Sequence, residues 1–387
     1  MKYSSMEFPK CCDLTGVLKE IWEKGWFDEY SEDHILIKAI REGKVNFRRK
    51  DEIIQESTAL YQNCDNANTF ISNLSFRLFE LKELCTTEVL KKFIEQLAAG
   101  KQNYSEEQFF DTLHELQALH FMRRSISEDN INVVYEPQIG GVSGKKNPEY
   151  RLCMTFQIPG NNPGEIILPM DVYIFDVEVK TVSGFLDKNI APSEPYIVPL
   201  LPIEIEKKNE LKTACNALGF QLELPDIMQL KDFLNDAAKK FEIPNGNHFN
   251  VLFINWTFRE IPNNYVEPYM LLNNPHNGLL RFQEIGKKFG IDDDVFNKIS
   301  AIFIYSCPIQ AEMFSDLRWC TVSSHSVLLN PSLSEKQKEL LSRILVAPKP
   351  EEQDKLCKLI SPIRDDYWLF EDDFDRIDEI IKSIMYK

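Results

Sequence analysis

Apolar residues recur every three or four positions through most of residues 1–100, a spacing that predicts amphipathic helices. The clearest stretches are TGVLKEIWEKGWFDEY, NANTFISNLSFRLFELKELC and TTEVLKKFIEQLAAG, the last of which ends at Gly100, a typical helix stop. A further helix is predicted at SEEQFFDTLHELQALHFMRR, where Ser105 and Gln108 have the spacing of a capping box. We therefore expect a helical N-terminal domain over residues 1–100.

The pattern then changes to short apolar runs, which predict strands. INVVYEPQIGG predicts one strand, and PEYRLCMTFQIPGNNPGEIILPMDVYIFDVEVKT predicts two more joined by a turn at 160–164. After a Pro-rich insertion at about 182–225, DIMQLKDFLNDAAKKFEI predicts a helix, and HFNVLFINWTF and ISAIFIYSCPI predict further strands. This order predicts an α/β domain over residues 101–310, followed by a C-terminal helical region, residues 311–387, with an acidic tail.

Composition and charge narrow the class of protein. The 387 residues are 43% hydrophobic, enough to fill a core, and the formal net charge is −16. Such a charge argues against a surface that attracts nucleic acid as a whole, although a local basic groove or a metal-binding site remains compatible with it. The nine cysteines are scattered without CxxC spacing, which favours free thiols over disulfides or structural zinc. We expect a cytoplasmic protein that does not contact a membrane, because neither a signal peptide nor a spanning stretch occurs.

The strand DVYIFDVEVKT carries Asp176, Glu178 and Lys180 on one face, because side chains alternate along a strand. E-x-K triplets occur elsewhere in this chain in polar or helical contexts, but this one is embedded in an apolar strand. Charges placed there are costly unless they are paired or bind a metal. The strand alone leaves three interpretations open: a structural ion pair, a surface ladder that protects an edge strand, and a functional site.

Two more acids precede this strand, Glu149 in a Pro-Glu pair at the entrance of the preceding strand and Glu115 on the helix before the sheet. The ordered set of helix with Glu, Pro-Glu, E-x-K, helix and strand resembles the PD-(D/E)xK nuclease superfamily over about residues 105–256, extending to 307. The first acid here is Glu where that family usually has Asp. Asp171 or Asp176 is the alternative first acid.

The resemblance implies a restriction-endonuclease-like α-β-β-β-α-β core with a central mixed sheet, flanked by helical N- and C-terminal regions. It implies catalytic roles for Glu115, Glu149, Glu178 and Lys180. Glu149, Glu178 and the backbone carbonyl of Val179 would hold Mg²⁺ or Mn²⁺, ions that prefer hard oxygen ligands. Such an ion polarises the phosphoryl oxygen and lowers the pKa of its bound water, as phosphodiester hydrolysis requires.

Four lysines are candidates for contacts to a nucleic-acid backbone as point charges: Lys145, Lys146, Lys239 and Lys240. The expected function is that of a Mg²⁺-dependent endonuclease that hydrolyses phosphodiester bonds in nucleic acid, DNA in preference to RNA. By analogy with nucleases that carry large helical additions, it would be a bacterial anti-phage or conflict-system effector. The alternative is a catalytically inactive or partner-dependent nuclease-like scaffold, and a protein partner or a homo-oligomer is compatible with both.

Overall fold

The computed structural model describes most of the chain, with gaps. The described residues are 2–8, 13–43, 68–124, 131–137, 147–159, 166–182, 196–199, 201–219, 221–222, 224–225, 227–256, 266–305, 325–348, 363–365 and 379–385. The described helices are α1 Val17–Glu23, α2 Ile35–Glu42, α3 Asn68–Leu84, α4 Thr87–Leu97, α5 Glu106–Arg124, α6 Ile205–Ala217, α7 Ile227–Lys240, α8 Val266–Asn273, α9 Gln283–Lys288, α10 Asp293–Lys298 and α11 Glu335–Ile344. The described strands are β1 Ile131–Tyr135, β2 Tyr150–Pro159, β3 Ile166–Thr181, β4 Tyr196–Pro199, β5 Gln221–Leu222, β6 His248–Asn255, β7 Ala301–Tyr305, β8 His325–Leu329 and β9 Ile363–Asp365.

A six-stranded mixed sheet, in the order β1-β2-β3-β6-β7-β8, forms the centre of the fold. The pairs β1–β2 and β2–β3 are antiparallel, the pairs β3–β6 and β6–β7 are parallel, and β8 is antiparallel to β7. The α/β class and the mixed central sheet predicted from the sequence are therefore confirmed. The strand β8 is an addition, because the region around it was predicted to be helical.

The sheet separates two hydrophobic cores because alternate side chains of each strand point to opposite faces. In β6, Val251 and Phe253 pack into one core, while Leu252 and Ile254 pack into the other. The first core receives apolar side chains from α1 to α5 and from α11, and the second receives them from α7, α8 and α10. The central strand β3 thus lies in the middle of an α/β/α sandwich.

The N-terminal helices share their core with the sheet. One hydrophobic cluster runs from Tyr3 and Trp22 through α3 and α5 to Val177 and Phe253. Two helices in this part begin at side-chain caps, since His34 accepts from the amide of Leu36 and Thr86 accepts from that of Val89. The helices predicted in residues 1–100 are confirmed wherever the structure describes them, in residues 13–43 and 68–100.

A smaller unit combines the predicted insertion with residues near the end of the sequence. A three-stranded sheet has the order β5-β4-β9, so β9 lies beside strands more than a hundred positions earlier in the chain. Its core contains Leu211 and Cys215 of α6 together with Ile381 and Ile384 from the helical residues 379–385. The Nζ atom of Lys207 donates to the carbonyl of Met385 over 2.6 Å. Membrane-spanning helices are absent from the described part of the chain, where no helix is both long enough and apolar enough.

Candidate functional site

The strand β3 that carries the E-x-K triplet lies inside the sheet, between β2 and β6. The side chains of Asp176 and Glu178 are completely buried. The interpretation of these charges as a surface ladder on an edge strand is therefore wrong. Two buried carboxylates on one strand must each be stabilised by specific neighbours, and these neighbours differ between the two residues.

The register of β2 and β3 brings Glu149 opposite Glu178. The antiparallel pair Tyr150 and Val177 is the last of the ladder, so the next residue back on β2, Glu149, lies across from the next residue on β3, Glu178. Side chains directly opposite in such a pair have Cβ atoms about 5 Å apart. Two acids 29 positions apart in the sequence thus become neighbours. Like charges in this arrangement repel, so a neighbouring cation or a proton on one of the acids stabilises the pair.

Two lysines supply positive charge to this pair of acids. The Nζ atom of Lys240, at the end of α7, lies 2.9 Å from Oε1 of Glu149 and 2.7 Å from Oε1 of Glu178. The Nζ atom of Lys180 lies 3.0 Å from the same oxygen of Glu178. These distances are those of ion pairs, but neither contact to Glu178 has hydrogen-bond geometry, and both its oxygens lack a hydrogen-bond partner among the described residues. The carboxylate of Glu178 is thus compensated in charge while its coordination is incomplete.

The electrostatics of the pair follow from burial. Burial and the neighbouring Glu149 raise the pKa of Glu178 to about 7, against the opposing effect of Lys240 and Lys180. Burial alone would lower the pKa of Lys240, but Glu178 and Glu149 raise it to about 12. Lys240 therefore stays charged at neutral pH, and Glu178 changes protonation within the physiological range.

Glu115 approaches this group of charges from α5, which packs in the core on the side of Val177 and Val179. The hydroxyl group of Tyr135 donates to Oε2 of Glu115 over 2.8 Å. Burial, followed by the effect of Glu149, raises the pKa of Glu115 well above its ordinary value. Burial and the neighbouring Glu149 thus both disfavour the ionised form of Glu115.

Asp176 has a different environment from Glu178, although the two are only two residues apart. Arg151 donates to both carboxylate oxygens of Asp176 over 2.7 Å, and Nε2 of His248 lies 2.9 Å from Oδ2. Burial opposes ionisation, but the hydrogen bonds from Arg151 and His248 outweigh it and lower the pKa of Asp176. The bidentate Arg151 contact makes Asp176 a structural ion pair. The other alternative first acid, Asp171, is exposed and accepts from Asn247 over 2.7 Å.

The backbone of Val179 faces the site. The amides of Ile174 and Val182 donate to carbonyls of the chain at β6, so even-numbered residues of β3 direct their backbone groups toward β6. Backbone groups alternate along a strand, and those of Val179 are therefore directed toward β2. The strand β2 begins only at Tyr150, opposite Val177, so the carbonyl of Val179 points past the beginning of β2, on the side of Glu149.

The structure describes two of the four lysines predicted to contact nucleic acid, and these two lie in different environments. Lys145 and Lys146 lie outside the described residues. Lys239 is exposed and forms an ion pair with Asp236 over 3.1 Å, so its contact with nucleic acid stays a prediction. The side chain of Lys240 points inward and forms ion pairs with Glu149 and Glu178, so in this structure its ammonium group does not face solvent as a nucleic-acid contact would.

Sequence reasoning missed three features of the site. The contact of Lys240 with the acids depends on where α7 ends in space, which no local pattern reveals. Tyr135 is the last residue of an ordinary apolar strand, so its hydroxyl contact was not predicted. Asp111 lies one helical turn before Glu115, a spacing that the sequence does show. Burial and Glu107 raise the pKa of Asp111 to about 6, which Lys180 opposes.

The donors present suit a hard divalent cation. Glu178 has a buried carboxylate with unfilled coordination, Glu149 lies opposite, and the carbonyl of Val179 is directed to the same side. As the side chains stand, however, no group of three or more His, Cys, Asp or Glu in the described part of the chain is arranged to hold a metal ion. The chemistry of the donors therefore fits Mg²⁺ or Mn²⁺, while the ammonium group of Lys240 lies between the acids.

Comparison with known proteins adds no relative from which a role could be transferred. The chain matches no family model, no curated protein and no solved structure.

Proposed function

We propose that this protein is a metal-dependent nuclease whose site is formed by Glu149, Glu178 and Lys180. The observation that carries the proposal is the placement of Glu149, directly before β2, opposite Glu178 of β3, with lysine charge beside them in a buried position. Ordinary surface acids do not show this combination, and perturbed ionisable groups that converge from separate elements are typical of functional sites.

The order of the elements also supports the proposal. Apart from β4, α6 and β5, which follow β3 as the predicted insertion, the succession α5, β1, β2, β3, α7 and β6 is helix, three antiparallel strands, helix and a strand parallel to the third. This is the succession that the resemblance to the PD-(D/E)xK superfamily implies, and the acids stand at the corresponding elements. The likeness concerns fold, so the activity must be argued from the site itself.

The residues have separable roles in the proposed reaction. Glu149 and Glu178, with the carbonyl of Val179, would hold a divalent cation, which when bound supplies charge for the phosphate oxygens and lowers the pKa of a water molecule. Lys180 adds a positive charge on the same face of β3, where it stabilises the negative charge that grows on the phosphate as water attacks. Burial disfavours the ionised form of Glu115, and in its protonated form this residue would donate a proton or a hydrogen bond to a ligand of the site.

The test is cleavage of single-stranded DNA, double-stranded DNA and RNA by purified protein with Mg²⁺ or Mn²⁺. We expect cleavage by the wild type and its loss in the double variant Glu178→Ala/Lys180→Ala. A matched control is Glu206→Ala/Lys208→Ala, which removes an E-x-K triplet with the same spacing from the exposed face of α6. Cleavage of all three substrates no faster than by the double variant would refute the proposal.

A second function is favoured by one observation, the ion pair of Lys240 with both acids. A core whose acids are neutralised internally is also what a nuclease-like scaffold without activity would have. Calorimetry with Mn²⁺ distinguishes the two: a nuclease binds the ion with an affinity that falls in Glu149→Gln, whereas a scaffold shows no binding that depends on Glu149.

A further inference from the structure

The ammonium group of Lys240 occupies the space between the two acids of the site. It contacts Glu149 over 2.9 Å and Glu178 over 2.7 Å, whereas Lys180 contacts only Glu178. A cation held by the same two carboxylates would need the same space. The ammonium group and a divalent cation therefore exclude one another at this position.

The backbone that carries Lys240 is firmly placed. On the inner face of α7, Ala237 and Ala238 are completely buried in the second core, as is Phe241 directly after Lys240. Just beyond, the side chain of Asn250 donates to the carbonyl of Glu242 over 2.6 Å and ties the chain to β6. The positive charge also lies at the C-terminus of a helix, where the helix dipole favours it.

The side chain itself can leave without moving this backbone. The side chains of Lys240 and Glu149 are 13% and 17% exposed, so the contact borders solvent, whereas Glu178 is completely enclosed. A lysine side chain has a long flexible stem, and rotation about its bonds is enough to bring the ammonium group into water. The site therefore combines fixed acids with a removable internal cation.

Charge balance supports an exchange of one cation for another. Two carboxylates face two ammonium groups, and adding a divalent cation without removing a lysine would leave an excess of two positive charges in a buried position. Departure of Lys240 reduces this excess to one. Lys180 is the lysine that remains, because it lies on β3 itself and does not stand between the acids.

We propose that Lys240 is the internal counter-ion of the site: it holds Glu149 and Glu178 together in the metal-free protein, and a divalent cation binds by displacing its ammonium group. This proposal rests on the proposed function, since it concerns the same metal site. It assigns Lys240 a positioning role instead of the role of a simple nucleic-acid contact.

The experiment is calorimetric titration with Mn²⁺ of the wild type, Lys240→Met and, as a matched control, Lys239→Met. Methionine replaces the aliphatic stem of lysine and lacks the ammonium group, and Lys239 is an exposed lysine on the same helix. We expect Lys240→Met to bind Mn²⁺ about tenfold more tightly than the wild type, a difference of about 1.4 kcal/mol, and Lys239→Met to be unchanged.

Thermal unfolding supplies a readout that a merely structural lysine would not move. Without Mn²⁺, Lys240→Met should unfold at a lower temperature than the wild type, since its two acids then repel one another. With saturating Mn²⁺ the difference should disappear, because the ion replaces the missing charge. A lysine that only supports the fold would leave the same difference with and without the ion.

The outcomes separate this proposal from the nuclease proposal. If the wild type cleaves nucleic acid and Lys240→Met binds Mn²⁺ no more tightly, the counter-ion proposal is overturned and the nuclease proposal stands. If Mn²⁺ binds none of the three proteins, both are overturned. Lys240→Gln serves as a second neutral variant should methionine prevent folding, and failure of both variants to fold even with Mn²⁺ would overturn the counter-ion role.

Discussion

Replacing Asp176 and Glu178 in turn by their amides, Asp176→Asn and Glu178→Gln, separates a structural carboxylate from a functional one. Both side chains are completely buried on one face of β3. Asp176 accepts two hydrogen bonds from Arg151, whereas Glu178 has ion pairs but no hydrogen-bond partner among the described residues. We expect the first variant to lose stability and the second to keep it.

The magnitudes follow from these contacts. Removing one member of a buried pair costs about 3–5 kcal/mol, and we expect about 3 kcal/mol for Asp176→Asn because Arg151 is 26% exposed and can be partly hydrated. For Glu178, the difference between its ordinary pKa of 4.5 and the value of about 7 corresponds to about 3 kcal/mol. Glu178→Gln avoids this cost at pH 8. The gain is reduced by the loss of the ion pairs that Lys180 and Lys240 form with Glu178.

The pH dependence has opposite directions at the two acids. Glu178 binds its proton more tightly in the folded protein than in the unfolded chain. Its contribution to the free energy of unfolding is therefore present below pH 4.5 and is lost as the pH rises through about 7. Glu178→Gln should therefore gain stability relative to the wild type between pH 5 and pH 8. The pKa of Asp176 is lowered, so its contribution is present at pH 8 and is lost in acid.

Urea unfolding at pH 5 and pH 8, followed by circular dichroism, measures both differences, and unchanged slopes would show that the variants unfold in the same way. The reasoning would be refuted if Glu178→Gln lost as much stability at pH 8 as Asp176→Asn. Glu178 would then be a second structural ion pair, and the case for a functional site on β3 would lose its main support.

Two further predictions concern parts of the fold away from the site. Burial lowers the pKa of His34 to about 4, where its Nδ1 accepts from the amide of Leu36 and its Nε2 donates to the carbonyl of Leu97. As the pH falls from 6.5 to 4 the unfolded chain takes up a proton at His34 that the folded protein does not, so about 3 kcal/mol of stability should be lost; His34→Gln should flatten that decline in urea titrations, and an unaltered pH profile would contradict the assignment. A Cβ atom at Gly286 would lie 2.2 Å from the carbonyl oxygen of Leu279, so Gly286→Ala should cost about 3 kcal/mol in the same assay, against about 1 kcal/mol for Gly246→Ala, where no atom lies within 4 Å; equal losses would show that the contact relaxes.

The sequence indicated the candidate acids more clearly than it indicated their surroundings. Glu178 stood out because its charge interrupts an apolar strand, a pattern that one sequence alone is enough to reveal. The position of Glu149 opposite it required the register of β2 and β3, which depends on pairing across a long hairpin. Lys240 could be assigned a positive charge from the sequence, but its direction depends on how α7 packs in the second core.

The architecture was predictable where periodicity is strong. The helices of residues 1–100 and the strands β1, β2, β3, β6 and β7 follow their hydrophobic patterns. The strand β8 did not, because HSVLL is short and begins with two polar residues, so local pattern does not distinguish it from a turn or part of a helix. The pairing of β4 with β9 is a long-range contact of the kind that no local signal encodes.

The packing of α6 against residues 379–385 has a consequence for the order in which the protein folds during synthesis. Leu211 and Cys215 can be shielded from water only after Ile381 and Ile384 have been translated and have left the ribosome. At about 5–20 residues per second, synthesis of the stretch from 223 to 378 takes on the order of 10 s. For that interval the apolar residues of α6 lack part of the core that covers them, so the small three-stranded unit is completed last.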